Sequence, residues 1–240
     1  MTDKPNVPLS LAPEIVSNFR VRHPQTHEPV QDELLDQLEQ SLAFGQTRAR
    51  ELSDLVDAVR ADRTSTPGAA AIKIRGAALK LGEAAAKKLD TAKGQVEKDL
   101  DAIAEGTAAP LPPRDALAAQ LEAEVRARFA AMSHEESKKA WADALRAEDE
   151  LIMGAILRAP AMLSGMTDAE LELRRHAWRV KKFPEVVDRE KRLTRALEAA
   201  ERAGDSLINY VEAIASGPGA EAEKAAAHAA EMLKHAEATT

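Results

Sequence analysis

Apolar residues recur along this chain at alternating steps of three and four, the spacing that lays a stripe along one face of an α-helix. The first run spans about 31–61 and carries Leu35, Leu38, Leu42, Gly45, Ala49, Leu52, Val56 and Val59. Its unbroken alternation is the heptad rhythm of a left-handed coiled coil. Gly45 and Ala49 form a thin waist where another backbone can come close. These eight positions are expected to form a self-association seam. The stretch TSTPG at 64–68 ends the helix.

A second run over about 69–104 carries Ile74, Ala78, Leu81, Ala85, Leu89, Ala92, Val96, Leu100 and Ile103. Its steps lie near an 11-residue repeat, which keeps a stripe straight or twists it slightly right-handed. A short turn between the two runs predicts an antiparallel helical hairpin.

Residues 105–113, EGTAAPLPP, are the strongest internal boundary. Beyond them a helix over 114–132 carries Leu117, Leu121, Val125, Phe129 and Met132. Ser133 with Glu136 is a capping-box pattern and opens a helix to about Arg158, where Pro160 stops it. Thr167 with Glu170 repeats the pattern and opens a helix to Lys182. Pro184 suits a first helical turn, and the helix it starts runs to Ala215 with the seam Val186, Leu193, Leu197, Ala200, Gly204, Leu207, Val211 and Ile214. Gly217-Pro218-Gly219 ends it, and an alanine-rich helix follows to about Ala236. The expected fold is all-α, with no strands: long antiparallel helices with coiled-coil-like seams, then a C-terminal helical bundle.

Residues 1–30 break the pattern. Pro5, Pro8, Pro13, Pro24 and Pro29 remove backbone donors and fix φ, which blocks helix and central strand alike. An extended arm is expected, with a short helical turn around Pro13–Phe19. Arms that order on binding are common assembly devices, so a partner is expected to hold this one. The organisation read from the pattern is an arm over 1–30, a long hairpin over 31–110 and a helical bundle over 111–240.

Composition sharpens this picture. Apolar residues make up 45% of the 240 residues but aromatics only 3%. Two Trp, one Tyr and four Phe cannot build a thick core, since large side chains supply most buried area. Helices meeting along narrow seams bury little within one chain, so protein partners are expected, as a homo-oligomer or as part of a larger assembly. The formal charge of −7 opposes non-specific binding to nucleic acid, which draws its affinity from phosphate neutralisation. Cysteine is absent, excluding disulfides and thiolate chemistry. No run of about 18 apolar residues is long enough for a transmembrane segment. The first residues lack the basic and apolar regions of a secretory signal. The expected location is cytoplasmic, or within an assembly built there, a virion included.

The search for chemistry excludes more than it finds. No glycine-rich phosphate loop and no GxSxG elbow occurs. The segment His134-Glu135-Glu136-Ser137-Lys138 lacks the second His of a zinc-protease helix. His228, Glu231 and His235 share a helix face but spread over two turns, and read as solvated. No catalytic residue, cofactor or metal site is expected.

Two stretches stand out. Across 171–183, Arg174, Arg175, Arg179, Lys181 and Lys182 fall on one broad arc around Trp178 and Leu171, while Leu173, Ala177 and Val180 face the opposite way. Either this arc docks on a partner, or Trp178 is buried with the cationic stems covering its edge. The apolar stretch 150–166, with Met153, Met162 and Met166, reads as bundle core or as an interface.

The functional expectation is a non-enzymatic structural or assembly protein that self-associates or docks on a larger complex, such as a scaffold, adaptor or minor component of a phage-like particle. Two alternatives are an amphipathic-helix protein coating a lipid or granule surface through the 74–103 stripe, and a nucleic-acid-associated regulator using the Arg174–Lys182 face.

Overall fold

Helix starts in this chain are written as side chains that accept hydrogen bonds from otherwise orphaned backbone N–H groups. Asp32 accepts from the Leu34 amide and Asp115 from the Ala118 amide. Ser133 and Thr167 each close a reciprocal capping box, with Glu136 and Glu170. The computed structural model describes residues 6–238. Its helices are α1 (Glu14–Ser17), α2 (Glu33–Ala61), α3 (Pro67–Thr107), α4 (Ala116–Ala130), α5 (His134–Ala147), α6 (Glu150–Leu157), α7 (Asp168–Lys182), α8 (Pro184–Ala215) and α9 (Pro218–Ala238). Short 3-10 turns occupy Leu9–Leu11 and Ala161–Ser164. No sheet forms among the described residues; one isolated antiparallel bridge joins Arg22 and Pro29. The all-α class expected from the sequence is the class observed.

One helix expected from Ser133 to about Arg158 is two. Glu148 takes a left-handed conformation, φ 53°, and closes α5. Asp149 then accepts from the Ile152 amide and starts α6. A charged Glu-Asp pair supplies both the stop and the new cap, which the apolar periodicity alone does not reveal.

The chain forms two compact units, Met1–Glu97 with Arg192–Thr240, and Lys98–Lys191. The dividing lines fall inside α3 and α8. The arm, hairpin and bundle drawn from the sequence group the chain differently, because the end of α8 and the start of α9 belong with the hairpin.

In the first unit, α2 and α3 follow one another across a short turn, and Lys88 of α3 lies 4.7 Å over the Phe44 ring of α2. The later part of α8 packs against both. Its Tyr210 hydroxyl donates to the Ala49 carbonyl of α2 at 3.1 Å. The α2 seam is therefore filled from within: Leu35, Leu38, Leu42, Gly45, Ala49, Leu52 and Val56 are buried, and Val59 is half-buried. This corrects the expectation of a surface for self-association. The waist at Gly45 is occupied by Leu207 of α8 and by Leu11 of the N-terminal segment, which approach an ideal Cβ position there to 3.7 and 3.8 Å. Leu11 and Val16 are completely buried, and Arg20 pairs with Asp36 and Glu39 of α2. The arm is thus anchored on the chain's own α2 through Leu11, Val16 and Arg20, where a partner was expected, while residues 21–30 are exposed; residues 1–5 lie outside the described residues.

The second unit holds both tryptophans of the chain in its core. Phe129, Trp141, Met153, Ile156, Leu157, Leu171 and Trp178 form its core. Most of the apolar 150–166 stretch is spent here, with Met153 buried and Met162 left exposed.

Two glycines of α3 separate packing from helix propensity. A methyl at Gly82 would lie 2.8 Å from Val211 Cγ1, whereas one at Gly94 would meet nothing within 4 Å. Gly94→Ala should raise stability by up to about 1 kcal/mol. Gly82→Ala gains the same propensity but overpacks, at a cost of about 1–3 kcal/mol. Thermal melts should rank Gly94→Ala above wild type and Gly82→Ala lowest.

The turn after α2 has a pH signature. Asp62 accepts from the Thr64 hydroxyl at 2.6 Å, the Ser65 hydroxyl at 2.8 Å and the Thr64 amide at 2.9 Å. These bonds, the Thr64 hydroxyl first, hold its pKa near about 2 against an ordinary 3.8. The folded-state pKa is depressed, so the contribution is present above pH 3.8 and is lost as pH falls through about 2. A carboxyl-carbon NMR titration should place the Asp62 midpoint near 2; a midpoint near 3.8 would show that the turn is not held this way.

Candidate functional site

Helix α7 carries the residues that the sequence singles out. Its capping box at Thr167–Glu170 starts it, and Arg179, Lys181 and Lys182 sit in its last turn, where cations favour the helix dipole. Phe183 and Pro184 end it. The residues facing inward are Leu171, Arg174 and Trp178. Trp178 is 1% exposed and meets the Phe183 ring edge-on, with centroids 6.0 Å apart.

The basic arc is therefore the packed side of α7, with the cationic stems laid around a buried indole. Arg175 donates to Glu172 at 2.6 Å and to the Leu157 carbonyl at 3.0 Å. Arg179 donates to the Thr107 hydroxyl at 2.7 Å and pairs with Glu190. Lys181 and Lys182 stand 3.8 and 3.7 Å from Glu148, and Lys182 is 3.5 Å from Glu150. Of the two readings offered by the sequence, the packed one describes Arg174, Arg175, Trp178 and Arg179, whereas Lys181 and Lys182 are exposed and pair at the surface. The physical reason is area: an indole has more apolar surface to bury than Leu173 or Val180, and Arg and Lys stems can cover its rim while their heads find partners. Leu173 and Val180 consequently face solvent.

Arg174 differs from its neighbours. It is 8% exposed, and its guanidinium lies 5.4 Å from the Trp141 ring centroid and 5.9 Å from that of Phe129. Nη2 donates to the Ser137 hydroxyl at 2.8 Å, while the enclosed Nη1 has no partner. Burial pulls its pKa below the ordinary arginine value, offset in part by the charge of Glu170. Both oxygens of Glu170 have other partners: Oε2 accepts from the Thr167 amide at 2.8 Å, and Oε1 is 3.2 Å from His134 Nδ1. The Thr167 bonds, the amide first, hold the Glu170 pKa below the usual carboxylate range. A cavity of about 210 Å³ adjoins Arg174, lined also by Lys138, Trp141, Glu170 and Leu173.

The sequence reading did not isolate this site. The available signal was Ser137, Trp141 and Ala144 on one face of α5, where a hydroxyl stands beside an indole on the side turned to the core. It also missed Glu122, a buried carboxylate of α4 that pairs with Arg158; Arg158 in turn donates to the Pro110 carbonyl at 2.7 Å.

The first unit holds a larger cavity of about 740 Å³ between the α2–α3 turn and the α8–α9 turn, lined by Val56, Val59, Ile74 and Ile214. Its polar residues include Asp62 and Tyr210, which are engaged as described above. No group of three His, Asp or Glu placed to hold a metal ion occurs among the described residues. No helix there is long and apolar enough to cross a membrane. No protein-family model, curated protein or solved structure matches this chain.

Charge reversal distinguishes the packed cations from the solvated ones. Arg179→Glu sets a second carboxylate against Glu190 and leaves Thr107 without its donor, and should cost about 1–3 kcal/mol. Lys181→Glu, at a half-exposed surface pair, should stay within about 0.5 kcal/mol of wild type. Denaturant midpoints measure both.

Proposed function

We propose that this chain is a non-enzymatic helical assembly protein, a scaffold or adaptor, that associates through apolar faces of its Lys98–Lys191 unit. The observation that carries the reading is where apolar surface stays uncovered. Of the fourteen large hydrophobic side chains exposed among the described residues, eight lie in this unit. They are placed in register. Leu117 and Leu121 are one turn apart on α4, 67% and 42% exposed, in the same stripe as the buried Phe129. Leu173 and Val180 are two turns apart on α7. Scattered exposed leucines need no explanation, but pairs in helical register offer the narrow seams along which helices associate.

Two other readings lose their footing. A coat protein would need the 74–103 stripe, of which Ala78, Ala85, Leu89, Ala92 and Val96 are buried in the chain's own packing. A nucleic-acid reader would need the α7 cations, whose heads are mostly held by carboxylates, hydroxyls and carbonyls of the same unit.

Light scattering during size exclusion tests the proposal. The wild-type chain should show a mass that rises with concentration to a defined oligomer. Leu117→Asp/Leu121→Asp should return it to the monomer mass with far-UV helicity unchanged, because both side chains already face water. A wild-type chain that stays monomeric at all accessible concentrations, with a mass indifferent to the substitution, would remove self-association as the basis of assembly.

A further inference from the structure

Arg174 is a cation that the fold buries without an ion-pair partner among the described residues. No carboxylate among the described residues lies within ion-pair distance of it, one guanidinium nitrogen is satisfied by a neutral hydroxyl, and Nη1 has no partner. Removing a charge from water is costly unless it is paired and hydrogen-bonded, and an enclosed unpaired donor carries its own penalty. Two aromatic faces recover part of this through cation–π attraction. They supply no acceptor for Nη1.

We propose that the cavity beside Arg174 is a binding site for a carboxylate carried on a short apolar body. Charge supports a single anion: Lys138, which also lines the cavity, is paired with Glu135 at 3.7 Å, so Arg174 is the cation there with no carboxylate at ion-pair distance. A dianion such as phosphate would meet the repulsion of Glu170 with too few donors. Shape supports an apolar body, because Trp141 and Leu173 form the remaining wall. The volume of about 210 Å³ equals about seven waters at roughly 30 Å³ each, enough for a branched chain of a few carbons. Arginine is the side chain suited to the work, since its planar fork matches a carboxylate and such charge-assisted bonds are about twice as strong as neutral ones. Glu170 does not take the ligand's place, its oxygens being held by Thr167 and His134. Nη1 is enclosed, so the ligand reaches it when a wall yields. Leu173, 70% exposed, is the wall with freedom to move.

The test is calorimetric titration of the full chain with 3-methylbutanoate and with its uncharged amide. The acid should bind saturably and at least about tenfold tighter than the amide, and Arg174→Met should abolish the difference. Arg174→Met without ligand should melt at or above the wild-type temperature, since an apolar replacement of a buried unpaired charge removes its desolvation cost. Should that variant fail to fold, Leu173→Asp at the exposed wall gives the same reading, weakening the acid about tenfold or more by repulsion. An acetylated peptide ending in a free Leu carboxylate separates the two sources of this chemistry. Tighter binding than 3-methylbutanoate, lost on amidation, assigns the site to a protein chain end; weaker binding assigns it to a small acid. Equal binding of acid and amide, no binding of either the acid or the peptide, or undiminished acid binding in Arg174→Met would overturn the proposal. Leu173 belongs both to this cavity and to an exposed pair of α7, but Leu117 and Leu121 do not line the cavity: Leu117→Asp/Leu121→Asp should leave acid binding intact, so the two readings fail independently.

Discussion

The packing of the first unit depends on one recurring interaction, a large aliphatic side chain seated opposite a glycine on the facing helix. Val211 sits against Gly82, Leu89 against Gly204, and Leu207 with Leu11 against Gly45. A chain so poor in aromatics cannot hold helices together with thick side chains, so it brings their backbones close. Dispersion attraction falls steeply with a gap of half an ångström, and glycine removes that gap where the helices cross. The same logic seats the start of α9, where the Ala71 carbonyl would lie 2.5 Å from a methyl placed on Gly219. It also explains why the N-terminal segment belongs to this unit. Leu11 is the side chain that fills what α8 leaves open at the Gly45 waist.

The second unit solves the same problem differently. Four of the chain's seven aromatic residues, Phe129, Trp141, Trp178 and Phe183, lie within Lys98–Lys191. They give short helices the buried area that a narrow seam lacks. Wide rings also leave gaps of irregular shape, and charged stems complete the packing: Arg158 on Glu122, Arg179 on Thr107 and Glu190, Arg174 between two rings. An arginine serves here as an apolar spacer with a polar end. The resulting core brings charge inside, and with it the demand that each donor find an acceptor.

Helix class and most helix ends were legible because each has a local cause. A three-and-four step marks a face, and Ser133, Thr167 and the prolines mark ends. The break at Glu148 was not legible, since a left-handed glutamate is set by tertiary packing and by the cap that follows it. The two-unit grouping was hidden for a similar reason: seams on α2 and α8 read alike whether they meet each other or another chain, and only three dimensions pair Ala49 with Tyr210. The α7 arc shows the limit most clearly. Periodicity reports which residues share a face but not which face turns inward. With cations and a tryptophan on one side and three aliphatic residues on the other, either side could have been buried. The indole decided it, and of the two readings the sequence offered, the packed one describes Trp178 and the arginines around it.

That inversion concentrates the unfinished business of the fold in one place. Among the described residues, six enclosed side-chain nitrogens and oxygens lack partners, and five belong to Arg158, Ser164, Arg174, Arg175 and Trp178 of the second unit. The exposed aliphatic pairs of α4 and α7 lie there as well. The first unit spends its apolar seams on itself, and its cavity of about 740 Å³ is lined mainly by aliphatic side chains. Selection for stability alone would replace Arg174 with an apolar residue of similar volume, because a buried charge with one hydroxyl partner contributes less than good packing. A sequence that instead keeps the cation, flanks it with Trp141 and Phe129, and places Lys138 on the same cavity has accepted a stability cost at a defined point. A carboxylate bound at this cavity, as proposed, would offset that cost. The chemistry of this protein is therefore to be sought in the second unit, at the arginine its own fold leaves unanswered.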